Sequence, residues 1–404
     1  MSVASWTPCR HDANLDIGQS VVWRRSILTQ SHVLWARITR QQMPKGSLID
    51  RIRRRVMRHA LVTETRKGAH FMTSRARPKA SAALGLAADT SPKYSLQPAL
   101  RAVKAAIVIQ GPIWSEDDFT VETVRLYRRH MPDCKLILST WQDTPRQDLD
   151  RIAEAGVDIV LNEKPAIPGP YNVNMQIVSS SSGMRRAAEL GAEWVIKSRT
   201  DQRLYQPTII SSLISMAQLF PPLGTAAGTQ KYRVFGMAGG TLKFAPYHLS
   251  DQSVFGHIDD MLAYWSPPLR ENALPESFPT DRFRLFSEVP IGKLCRYAAP
   301  ESYFASQFLL RQGRSLDWTV ADSWAALRDH FGVVDQLSSD LYWVKGQYYS
   351  MRDVMGSYAA LSNTGELGFL EWVQLVAGAF SPDAAGAYES VLDECMTSFN
   401  PGYP

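Results

Sequence analysis

Residues 194–205 read WVIKSRTDQRLY. An apolar start runs into charge, with Lys197, Arg199, Asp201 and Arg203 at every second position. Strand side chains alternate between two faces, so a strand continuing this far would put all four on one face. Three cations around one carboxylate make sense at the carboxyl end of a strand in an α/β sheet, where ligands bind. The cations would meet phosphate oxygens, and the carboxylate would hold a divalent metal or a sugar hydroxyl. The plainer alternative is a solvated edge strand with a local ion pair.

Outward from this stretch, strands and helices alternate. Ala105–Gln110 (AAIVIQ) is a buried strand closed by the turn Gly111-Pro112. A helix is expected over Phe119–His130, then a strand over Lys135–Thr140 ending at Trp141. Arg146–Ala155 is expected as a helix, Val157–Leu161 as a strand, and Asn174–Leu190 as a helix closed by Gly191. Trp194–Thr200 is the fourth strand. This order predicts an α/β fold with a mainly parallel sheet covered by helices on both faces. Beyond it, helices are expected over Ile209–Leu219, Glu301–Arg311 and Asp322–His330, with Phe369–Phe380 and Asp383–Phe399 closing the chain.

The 404 residues are 45% hydrophobic and 21% charged, enough apolar material for a large core. No apolar run is long enough to span a bilayer, and the start MSVASWTPCRHDANLD has no apolar signal region. Cys9, Cys134, Cys295 and Cys395 lie far apart with no C-x-x-C spacing, so neither a zinc site nor a disulfide framework is indicated. A cytoplasmic location is the expectation. Charge is split unevenly. Residues 1–104 hold 19 Lys+Arg against 5 Asp+Glu, and the remainder 25 against 34. The basic part reads as an appended module. Within it, residues 47–61 (SLIDRIRRRVMRHAL) form an expected basic amphipathic helix suited to an anionic membrane surface. Calmodulin-type or nucleic-acid binding would look similar, and a helix packed on its own domain is the plainer alternative. Residues 74–98 read as a linker. Nucleic acid is disfavoured as a partner, because the basic part lacks interleaved aromatics and the rest is acidic.

Several residues are candidates for chemistry. Gln110 and Gly111 follow the first strand, where a small residue lets backbone approach a nucleotide. Trp141 offers a stacking face, or else fills the sheet edge. Asn174 is an expected helix cap, with Gln176 beside it. Ser179–Ser182 either packs tightly against a strand or meets a polar ligand. Asp251, after Ser250 and before an apolar stretch, is a candidate buried carboxylate. Glu301 is another, unless it only complements its helix dipole.

Together AAIVIQGPI, VRLYRRHMPDCKLILSTWQD, NVNMQIVSSSSGM, WVIKSRTDQR, SDQSVFG and APESYF resemble the WavE lipopolysaccharide-synthesis family. The resemblance runs over about residues 104–310. It implies a GT-A-like glycosyltransferase with a nucleotide-sugar donor and a lipopolysaccharide or capsular glycan acceptor, free or lipid-linked. With the charge split, the expected layout is a basic N-terminal extension over 1–100, a GT-A-like nucleotide-binding domain over 101–320 and a mostly helical C-terminal segment over 321–404, packed on the core. Asp201 then stands where a paired-acid motif holds Mg2+ or Mn2+ and the donor diphosphate. Here it is a single acid, so Lys197, Arg199 and Arg203 would supply positive charge for the leaving group. Gln110, Gly111, Trp141, Asn174 and Gln176 would line the donor site. Asp251, then Glu301, would be the base for the acceptor hydroxyl. The competing readings are a nucleotidyltransferase and a non-catalytic glycan- or nucleotide-binding subunit.

Overall fold

Strand β1 (Ala105–Gln110) is buried along all six residues, as an unbroken apolar run requires when helices cover both faces of a parallel sheet. The computed structural model describes residues 104–223, 230–270, 274–344, 347–348 and 365–396. The expected basic helix at 47–61 and the linker at 74–98 lie outside them.

After β1 the chain forms α1 (Phe119–His130), β2 (Lys135–Trp141), α2 (Arg146–Ala153), β3 (Asp158–Asn162), α3 (Val173–Glu189) and β4 (Trp194–Arg199). Next come β5 (Gln202–Leu204), α4 (Ile209–Leu219), β6 (Val234–Met237), β7 (Val254–His257) and α5 (Ile258–Trp265). Helices α6 (Arg282–Glu288), α7 (Ile291–Tyr297), α8 (Pro300–Arg311) and α9 (Val320–Asp329) follow. The remainder is β8 (Phe331–Val334), α10 (Gln336–Ser339), β9 (Leu341–Trp343), β10 (Gln347–Tyr348) and α11 (Phe369–Val376), then a 3-10 stretch over Pro382–Asp393.

The main sheet has the order β3-β2-β1-β4-β7-β6-β8. Only β7 runs against the others. This is the mainly parallel α/β sheet with flanking helices expected from the sequence. Right-handed crossovers put α1 and α2 on one face and α3 on the other. Helix α3 packs on β1 and β2, with α5 beside it and α8 beyond. The chain steps outward from β1 to β3, then returns to lay β4 on the other side of β1. That reversal makes a switch point at the carboxyl ends of β1 and β4, where open α/β sheets bind ligands.

The C-terminal stretch is not only helical. Its β8 pairs in parallel with β6 and forms an edge of the main sheet. Its β9 pairs with β5 in a second, three-stranded sheet. The expected boundary at 320 therefore falls inside the fold, because β6 needs β8 to cover its edge.

Candidate functional site

Strand β4 ends at Arg199, paired in register with Gln110 of β1. The backbone N–H of Thr200 still donates to the Gln110 carbonyl. One residue later the chain changes partners: the Asp201 carbonyl accepts from Val344 N–H, and β5 joins β9. The alternation therefore breaks, and the four charged residues do not share one face. Arg203 leaves the group altogether. Its guanidinium donates to Thr123 Oγ1 at 2.8 Å and to the Phe119 carbonyl at 3.0 Å, and lies 4.3 Å from the centre of the Phe119 ring. It braces the start of α1.

The remaining three stay together. Arg199 grips Asp201 with two hydrogen bonds, Nε to Oδ1 at 2.9 Å and Nη2 to Oδ2 at 3.0 Å. Trp343 Nε1 adds a third donor, 3.2 Å from Oδ2. Lys197 is fully buried, donates to the Asp251 carbonyl at 2.6 Å and sits 4.6 Å from the centre of the Trp265 ring. Burial pushes its ammonium down to about 7, against the pull of Asp251.

Two more carboxylates arrive from distant sequence. Because Lys197 pairs with Val254 in the antiparallel β4–β7 ladder, the residues before Val254 lie beyond the carboxyl end of β4. Asp251 is among them and is buried. Glu301 comes from the first turn of α8, and its side chain keeps 26% of its exposure. Burial first, then the Asp251 charge, pushes its carboxyl up to about 8, while Arg199 and Lys197 pull the other way. His248 Nδ1 lies 2.9 Å from the Gly240 carbonyl, so that nitrogen carries the proton and Nε2 presents a lone pair. Nε2 is 3.7 Å from Glu301 Oε2, and burial pushes the imidazole down to about 4. The cluster thus holds two cations and three acids. The sequence had implied three cations around one acid.

Around it, Ser250 Oγ, Gln202 Nε2, Tyr264 Oη and Trp265 Nε1 are buried with no hydrogen-bond partner among the described residues. Asp251 and Glu301 both favour the protonated Tyr264 hydroxyl, after burial itself, so that hydroxyl shares their surroundings. Buried polar groups left open in one place mark where a polar ligand or water would fit.

The other expected residues separate into two groups. Gln110 and Gly111 are at the switch point. Gly111 has φ +119, and a Cβ there would lie 3.1 Å from Thr200 Oγ1, so glycine is needed to close the turn. Gln176 Oε1 is buried without a partner on the first turn of α3. Trp141 is only 4% exposed and fills the end of β2, the packing alternative. Asn174 does not cap α3; that position is Asn172, in the left-handed region. The Asn174 amide instead donates to the Ile167 and Arg270 carbonyls and accepts from Arg270 N–H, at 2.8–2.9 Å. Its polar atoms are committed to holding two loops. The serine run packs against the sheet, with Ser139 Oγ donating to the Ser179 carbonyl at 2.6 Å.

Residues 105–293 match the WavE lipopolysaccharide synthesis family. The matched segment takes in β1 to the start of α7 and every candidate residue above except Glu301 and the Trp343 that bonds Asp201. No curated protein matches the chain. Solved structures with some likeness include 4-diphosphocytidyl-2C-methyl-D-erythritol synthase from Anaerococcus prevotii, at 11% identity over 64% of this chain and 96% of that one, with a TM-score of 0.33. Another is a glycosyltransferase involved in glycosylation of the major capsid of PBCV-1, at 14% identity over 46% and 76%, TM-score 0.24. A third is a mannosyltransferase from Pyrobaculum calidifontis in complex with GDP-Man and Mn2+, at 8% identity over 72% and 85%, TM-score 0.28.

Asp201 is the carboxylate expected to meet a divalent metal, and here its oxygens are given to other donors. Arg199 occupies both carboxylate oxygens, and Trp343 shares one of them. Among the described residues no three His, Cys, Asp or Glu side chains come together to hold a metal ion. Sequence reasoning missed Trp343, Tyr264 and Trp265 as neighbours of the acids. Aromatic residues in helices and short strands read as core, and only the fold turns their polar edges toward the cluster.

Proposed function

We propose that the protein is a nucleotide-sugar-dependent glycosyltransferase that extends a lipopolysaccharide or capsular glycan. The observation that carries this reading is the convergence of the Arg199–Asp201 pair with Asp251 and Glu301 at the switch point of a WavE-matching sheet. Arg199 is the cation best set to meet the donor diphosphate, exchanging one oxygen of Asp201 for a phosphate oxygen, with Asp201 holding the guanidinium in aim. Gln110, Gly111 and Gln176 line the donor side. In a direct displacement, the acceptor hydroxyl oxygen bonds to the anomeric carbon. The bond from that carbon to the diphosphate oxygen breaks, and the electron pair leaves with the diphosphate. The hydroxyl proton passes to a carboxylate. Glu301 is the better base, reversing the order expected from sequence: it is the more exposed of the two acids, and a carboxyl held at about 8 is well matched to a neutral operating pH. Burial first, and then the Asp251 charge, raise it to that value.

The reading extends to location. Among the described residues no helix is long and apolar enough to cross a membrane. The basic stretch 47–61 would hold the enzyme on the anionic inner face of the cytoplasmic membrane, where lipid-linked acceptors reside. Unchanged liposome binding after removal of residues 1–100 would refute this.

The central test is donor hydrolysis and thermal shift with UDP-, GDP-, dTDP- and CMP-sugars, on wild type and Asp201→Ala. One active donor, with free nucleoside diphosphate or monophosphate as product and activity lost in the variant, supports the proposal. Pyrophosphate release would instead assign a nucleotidyltransferase. A folded wild type that binds no donor would assign a non-catalytic subunit.

A further inference from the structure

Helix α5 runs back from the amino end of the main sheet, and its following loop Ser266–Arg270 emerges at the same end as Asp251 and Glu301. Two side chains fix that loop. Asn174 of α3 bonds both the N–H and the carbonyl of Arg270, each at 2.8 Å. Tyr303 of α8, two residues after Glu301, donates its hydroxyl to the Pro268 carbonyl at 2.8 Å. The Arg270 side chain then lies over the Tyr303 ring, 5.2 Å from its centre.

With its backbone held on two sides, Arg270 still has an uncommitted charge. Among the described residues its guanidinium makes no hydrogen bond or ion pair; the Tyr303 ring is its only electrostatic neighbour. The other arginines near this edge are engaged: Arg199 with Asp201, Arg203 with α1, and Arg311 with the Ala263 and Ser266 carbonyls. A half-buried cation has lost part of its water without gaining a counter-charge, so an anion brought to it recovers the most. The fork of a guanidinium stacked on an aromatic ring suits a phosphate, which accepts two parallel hydrogen bonds.

We infer that Arg270, stacked on Tyr303 and anchored by Asn174, forms a phosphate-binding subsite on the loop after α5. It deepens the transferase reading and rests on it for the source of the phosphate. The donor diphosphate has its own cation in Arg199 at the switch point. Arg270 is held by α3 and α8 on a separate loop from Arg199, so the phosphate it takes is assigned to the acceptor: a phosphorylated sugar or a lipid-linked phosphate.

The test uses the full chain. Calorimetry measures binding of glucose 1-phosphate, glucose, UDP and GDP to wild type, Arg270→Gln and Arg270→Lys, with circular dichroism as a check of folding. Glucose 1-phosphate is expected to bind more tightly than glucose. Arg270→Gln should weaken it roughly tenfold or more while moving UDP and GDP affinity by less than about twofold, as loss of a charge-assisted bond at one subsite requires. Arg270→Lys, which keeps the charge and loses the fork, should fall between. If Arg270→Gln does not fold, the lysine variant carries the comparison. UDP or GDP binding weakened with the sugar phosphate unchanged would overturn the acceptor assignment and give the phosphate to the donor. Equal affinities in all three proteins would overturn the subsite. Sugar-phosphate binding that depends on Arg270 in a protein that binds no nucleotide would uphold the subsite and defeat the transferase reading.

Discussion

At Glu301, burial and the Asp251 carboxylate both favour the proton, and the carboxyl is pushed up to about 8 from 4.5. Two consequences follow, with opposite signs. The ionised form is the base, so kcat/KM should rise with pH until about 8 and then level. Glu301→Gln should remove that limb and lower kcat by roughly 100-fold or more, the usual worth of a positioned base. Stability runs the other way. Between the unfolded and folded values the native state holds the proton that the unfolded chain has released, so stability is full below 4.5 and is lost as pH rises toward 8. Thermal midpoints across this range should therefore fall less in Glu301→Gln than in wild type. A variant that is inactive yet no less stable at the alkaline end would locate the cost of function in this one carboxyl. Equal slopes in the two proteins would count against a raised Glu301.

Helix α3 shows how an element can be legible while its use is not. Its extent was readable from periodicity and Gly191, and the observed helix is Val173–Glu189. What its four serines do was not readable, because small polar residues serve packing and binding equally well. The contacts decide for packing at Ser179, Ser180 and Ser181, which are buried, while Ser182 accepts a bond from Arg185. A Cβ on Gly183 would lie 2.4 Å from Val108 Cγ1 and 3.2 Å from Ser139 Cβ. Gly183→Ala should therefore destabilise by about 1–3 kcal/mol from overpacking, outweighing the helix-propensity gain of about 1 kcal/mol. Urea denaturation measures the sign directly; a stabilised variant would mean that α3 can slide on β1. Since α3 also carries Asn174, such a slide would loosen the Arg270 loop.

At the scale of the molecule, the described residues beyond 320 contribute to the core. Trp372 is fully buried against Phe220 and Phe235 and donates to the Leu327 and Phe331 carbonyls. The Glu389 carboxylate accepts the first N–H groups of α9, from Val320 and Ala321. Arg233, wholly buried, donates to the Phe220 and Pro221 carbonyls on one side and to Arg328 and Phe331 on the other. A chain ending at 320 would leave that guanidinium half unpartnered and the β6 edge open, so it should be insoluble or lack a cooperative melt. A soluble, cooperatively folding 101–320 fragment would contradict this. The sequence by itself determined the α/β class, the first four strands, and the placing of Gln110, Gly111 and Arg199 at strand ends. Apolar runs and turn residues are local signals, and a strand's carboxyl end follows from its direction. Only the tertiary structure decided the site's charge. Lys197 meets Asp251 across 54 residues of chain. Glu301 comes from a helix a hundred positions away, and Arg203 is lost to a second sheet. Strand alternation tells which way a side chain points, but not which strand or helix lies there to receive it, because that partner is chosen by packing far along the chain.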